Sequence, residues 1–270
     1  METPSTLETI AALGRVWKSM ADITHGLSKE QWATPTECPG WDVADQLVHI
    51  IGIERQIEGE TPPSGDVGAL AHVKNPIGEW NEQWILSRRP AGGDKARDEF
   101  IEVTQRRLRS LNAATAEDFA SLTWTPVGER PMAEMLKIRL FDSFMHELDI
   151  RRALGMEPEP DALGEQVSIE RALLAIPGAL GRSNLLKTGE SLIVDLVDRP
   201  QPEHSWANQD GRVVGAEGTV RSRISLPAQV LLLRFCGRIS TEVALGSPGV
   251  EISGDAAVMR DFFDAINVVP

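Results

Sequence analysis

One segment limits what this chain can become. Residues 131–155, PMAEMLKIRLFDSFMHELDIRRALG, run from a proline to a glycine without an internal helix breaker, so they predict a single long helix. At about 100° per residue, Asp142, His146 and Asp149 fall within roughly 60° of one another. On one flank of that arc lie Ile138, Phe141, Phe144, Met145 and Leu148; on the other lie Arg139, Ser143, Glu147 and Arg151, which read as a solvent-facing stripe. Two acids and an imidazole thus sit at the edge of a core-facing surface, where a charge is costly without a partner. A divalent metal is one such partner, and an ordinary hydrogen-bond network is another.

A second stretch offers the complement. In CPGWDVADQLVHI, Asp42 is a good helix N-cap, Asp45 suits the positive end of the helix dipole, and Asp45 and His49 stand four residues apart on one face. Two such helices facing each other could bind a metal through His49, Asp142 and His146, with an open position for water or substrate as in catalytic zinc sites. Asp45 is equally explained as part of the cap. Asp149 could orient a ligand imidazole from behind or pair with Arg151 or Arg152. His25, His72 and His204 lack a paired-acid context, Trp41 reads as an anchor for the helix start, and Cys38 has no basic neighbour in sequence that would lower its thiol pKa.

Apolar spacing predicts further helices at 4–26, 42–60, 76–88 and 94–113, with a loop over 27–41. With the segment at 131–155 they read as a bundle, whose ligand sites are built between facing helices. The pattern changes after GMEPEPDALG at 155–164. A helix over 163–180 is followed by strand-like runs at 191–197 and 212–226 and in TEVALG and GVEIS, with helices at 227–236 and 255–266. That is an α+β pattern, so the expected domains are a helical 1–160 and an α+β 161–270.

The formal charge of -13, with no basic run, argues against a nucleic-acid or anionic-membrane surface. No apolar run is long enough for a transmembrane helix. The start METPSTLETIAAL carries acids where a signal peptide has basic residues, so a cytoplasmic protein is expected. The only cysteines, Cys38 and Cys236, are far apart and form no CxxC pair.

CPGWDVADQLVHI resembles the W-x-V-x-D-x-x-x-H helix start of the DinB/YfiT-like metalloenzyme family, and FDSFMHELDIRRALG resembles that family's last-helix segment. LPAQVLLLRFCGRISTEVALGSPGVEISGDAAVMRDFFDAIN resembles the sterol-carrier-like second domain of the mycothiol-dependent maleylpyruvate isomerase group. The resemblance implies a four-helix bundle holding a divalent metal, zinc, through His49, Asp142 and His146; from their spacing, Asp45 and Asp149 are the candidates to stand behind them. The isomerase branch generally has Glu as the carboxylate ligand; Asp142 is shorter by one methylene. The branch also uses an arginine of its second domain, matched here by Arg238. The implied function is a metal- and mycothiol-dependent isomerase or S-transferase that brings a small-molecule thiol to an electrophilic substrate. A metal-dependent hydrolase would need no thiol, and a small-molecule binding protein would need no metal.

Overall fold

In the computed structural model, residues 4–68, 70–200 and 203–267 are described. They divide into two compact units, Met1–Ser168 and Ile169–Pro270. The first is helical and the second is built on a sheet, as the sequence pattern implies.

In the first unit, α1 (Thr6–Ile23) starts at a capping box in which Ser5 and Glu8 satisfy each other's backbone amides. A short α2 (Lys29–Trp32) follows, capped by Ser28, within the stretch expected to be loop; its single turn buries Trp32. Helix α3 (Val43–Ile57) begins at the Asp42–Asp45 capping box. Asn75 and Pro76 start α4 (Pro76–Arg88), then come α5 (Gly93–Ala113), the short α6 (Ala116–Ala120), and a two-residue hairpin of β1 (Leu122–Thr123) and β2 (Arg130–Pro131). The hairpin feeds α7 (Met132–Ala153), the helix expected from the 131–155 segment. Helix α1 packs on α5 and α7, and α3 packs on α4, α5 and α7. The core between them contains Leu13, Trp17, Leu47, Ile51, Phe100 and Leu140.

The expected solvent stripe of α7 is buried. Arg139, Ser143, Glu147 and Arg151 are each at most 7% exposed. Ser143 Oγ accepts from the Trp17 indole at 2.9 Å, Glu147 Oε1 accepts from Ser19 and from Arg151, and Arg139 meets Glu54 of α3. Helical spacing gave their common direction correctly, but α1 and α3 cover that direction, and each side chain finds at least one polar partner there.

The second unit begins within α8 (Ala162–Ser183), which continues past the boundary. Its sheet has the order β5-β4-β3-β6-β7, formed by β3 (Glu190–Leu196), β4 (Glu203–Gln209), β5 (Arg212–Gly215), β6 (Thr219–Leu226) and β7 (Glu251–Gly254). Strands β3 and β6 run parallel; the other pairs are antiparallel. Helices α9 (Ala228–Phe235), α10 (Thr241–Leu245) and α11 (Ala256–Ala265) complete it. The TEVALG stretch expected as strand is α10: Ser240 caps it and Ala244 is buried. Among the described residues, no helix is long and apolar enough to cross a membrane.

The α3–α4 contact depends on Gly52, where an added Cβ would lie 2.7 Å from Cγ of buried Trp84. Gly52→Ala should therefore cost about 1–3 kcal/mol, read as a lower urea midpoint with an unchanged m-value.

Candidate metal centre

Helices α3 and α7 bring three of the expected residues together. Asp142 Oδ1 lies 3.3 Å from His49 Nε2 and 3.6 Å from His146 Nε2, and the two imidazole centroids are 4.5 Å apart. One cation bound at about 2.0–2.1 Å to three tetrahedral ligands would hold their donor atoms roughly 3.3–3.4 Å apart. The two nitrogens and one oxygen therefore fit a zinc-like ion with a fourth position left over. The histidine side chains are 6% and 7% exposed and that of Asp142 is 23% exposed, so of the three the carboxylate is the most open to solvent.

Each α7 donor is held from outside. The Gln46 amide Nε2 donates to Thr36 Oγ1 at 2.8 Å and faces the Asp42 carbonyl, which can only accept; this orients Oε1 toward His146. His146 Nδ1 lies 2.6 Å from that oxygen, so it carries the hydrogen and leaves Nε2 facing Asp142. Asp149 Oδ2 is 3.2 Å from the same Nδ1 and accepts from the Cys38 thiol at 3.2 Å. Cys38, His146 and Asp149 thus form a second cluster of metal-type donors, sharing the histidine. The other α7 donor, Asp142, receives Arg139 Nη1 on Oδ2 at 2.7 Å. Trp41 borders both imidazoles, at 5.1 Å from His49 and 6.0 Å from His146 between centroids, and its indole N–H donates to buried Glu82 at 2.6 Å.

Two expected residues lie elsewhere. Asp45 takes Arg89 on both of its oxygens and one accepts the Asp42 amide, so its carboxylate serves the helix cap and α4's end. Arg238 belongs to the second unit, just past α9, with Nη1 donating to the Cys236 carbonyl at 2.7 Å. Gln46, Arg139 and Cys38 escaped the sequence reading of the site. Gln46 and Arg139 had a weak signal, each lying three residues before a ligand on its own helix.

Burial, assisted by positive charge on His146 and Arg139, pushes His49 down to about 4 against the pull of Asp142. Burial also opposes a proton on His146, but the charge of Asp142, with hydrogen bonds donated to Asp142, Asp149 and Cys38, overrides it and raises His146 well above the usual imidazole range. Burial works against ionised Asp142 too, and Arg139 and the two histidines hold it well below the carboxylate range nonetheless.

The family model of the mycothiol maleylpyruvate isomerase N-terminal domain matches residues 13–151, which contain all three donors and their supports. The chain belongs to this family. An uncharacterized protein of Mycobacterium tuberculosis is 26% identical over 203 residues, spanning 70% of this chain and 74% of its own length. Among solved structures, the crystal structure of the mycothiol-dependent maleylpyruvate isomerase superposes with a TM-score of 0.58 at 17% identity. It covers 95% of this family member and 98% of that chain. A structure of that isomerase with a histidine-to-alanine mutation gives 0.57 over the same shares. The fold is common to them.

Two measurements follow from this geometry. At neutral pH His49 is already neutral, whereas a cation must displace the proton on His146. Zinc affinity should therefore rise about tenfold per pH unit until the pH passes the raised His146 value, with one proton released per ion in calorimetry. Gln46→Leu removes the acceptor that fixes the His146 tautomer and should weaken zinc binding about 10–100-fold in competition with a chromophoric chelator.

Proposed function

We propose that this protein is a mycothiol-dependent isomerase or S-transferase acting on a small electrophile, with one divalent cation, zinc, held by His49, Asp142 and His146. The observation that carries the reading is the convergence of three donors from α3 and α7, the two helices that bear the family's motifs. When bound, such a cation supplies the Lewis acidity that favours the thiolate of a low-molecular-weight thiol near neutral pH. The remaining work falls to the chain. Gln46 and Asp149 keep the His146 lone pair on the site side, Arg139 fixes Asp142, and Trp41 gives the donors an apolar wall.

The thiolate would add to an electrophilic carbon of the substrate. An isomerase expels the thiol after bond rotation; a transferase keeps the adduct. Arg238 is our candidate for holding a substrate carboxylate through its guanidinium fork. The same reading takes the helical unit as a four-helix bundle of the DinB type and the sheet unit as sterol-carrier-like. It also places the protein in the cytoplasm, where such thiols are kept reduced.

Elemental analysis of purified protein, His49→Ala and His146→Ala tests the centre. About one zinc per parent chain, lost from both folded variants, is the expected result. With metal present, turnover of unsaturated acids should require added mycothiol; cleavage of an ester or amide without any thiol would instead identify a hydrolase. A parent that neither holds nor takes up a cation would overturn the proposal.

A further inference from the structure

Arg139 sits one helical turn before Asp142 on α7 and is 2% exposed. Its Nε donates to Glu54 Oε1 of α3 at 2.7 Å, and its Nη1 donates to Asp142 Oδ2 at 2.7 Å. Glu54 is itself fixed, with Oε2 3.2 Å from Arg107 Nε of α5. The guanidinium is therefore held through Nε and Nη1, while its buried Nη2 has no hydrogen-bond partner among the described residues. The two oxygens of Asp142 are consequently divided: Oδ1 faces both imidazoles, while Oδ2 is taken by Arg139.

A carboxylate can bind a cation through one oxygen or through both. For Asp142 to use both, Oδ2 would have to leave a charge-assisted hydrogen bond and strip a buried arginine of one of its two acceptors. We propose that Arg139 is a positioning residue that makes Asp142 a one-oxygen ligand, denying the cation a second protein oxygen and so disfavouring oxygen-demanding cations. Zinc is content with four ligands, whereas manganese, magnesium and calcium favour six or more, largely from oxygen. This inference rests on His49, Asp142 and His146 being the ligands. A purely structural arginine would tie α7 to α3 through Glu54 alone and leave the cation indifferent to its presence.

Cobalt(II) reports the difference, because four-coordinate cobalt absorbs strongly in the visible and higher-coordinate cobalt weakly. The full-length protein, Arg139→Lys, Arg139→Met and Glu54→Gln would be loaded with cobalt, and their zinc-to-manganese affinity ratios measured by competition, after circular dichroism shows each to be folded. Glu54→Gln disturbs the same buried network but leaves Nη1 on Asp142, so it controls for general loosening. The parent and Glu54→Gln should give the stronger bands of the series. Both arginine variants should give weaker bands and a zinc preference reduced about tenfold or more. Should Arg139→Met fail to fold, Arg139→Lys, which cannot span both carboxylates, carries the comparison. Folded arginine variants with the parent's spectrum and ratio, or a Glu54→Gln spectrum as weak as theirs, would overturn the inference alone. A parent that takes up no cobalt would overturn the ligand assignment and this inference with it.

Discussion

A buried guanidinium must be answered by acceptors on neighbouring elements, and in this protein that requirement sets how α7 sits. Every residue from Ser143 to Arg151 is buried, so the helix has no solvent face there. Arg139 is answered by Glu54 of α3, which also faces Arg107 of α5; Glu147 and Arg151 share Ser19 of α1. Breaking one such pair leaves a buried charge uncompensated, a cost of about 3–5 kcal/mol. Rotating α7 by even one residue would break several at once. The angular position of Asp142 and His146 is thus fixed by charges on other parts of the same helix surface.

This is why the fold was largely legible and the stripe was not. Periodicity reports which side chains share a direction, and it placed all the long helices. It does not report what stands in that direction: Glu54 is 85 positions from Arg139 and Ser19 is 128 from Glu147. The same limit hid Cys38, set aside for want of a basic neighbour in sequence, although its thiol meets Asp149 across 111 positions. Gln46 was hidden differently, since an amide inside a helix belongs to no metal-ligand pattern and acquires meaning only once Thr36 and Asp42 orient it. TEVALG reads as strand by composition, yet Ser240 offers a helix cap that β-propensity does not weigh. His49, Asp142 and His146 could be paired from sequence because each lies on a long helix whose face was already known.

The support given to those three donors is uneven. His146 is held by Gln46 and Asp149, and Asp142 by Arg139, whereas His49 Nδ1 is buried without a hydrogen-bond partner among the described residues. His49 is held by Asp142 at 3.3 Å on its other nitrogen and otherwise by packing against Trp41. A ring with one long hydrogen bond and no partner on Nδ1 tilts at little cost beyond van der Waals contact; a ring whose Nδ1 meets two acceptors must give up more hydrogen bonds to do so. Of the two imidazoles, the one on α3 is therefore the easier to displace and the one on α7 the harder. Asp142 suits that division. Its short side chain has little rotamer freedom of its own and reaches both imidazoles only because α3 and α7 are in direct contact.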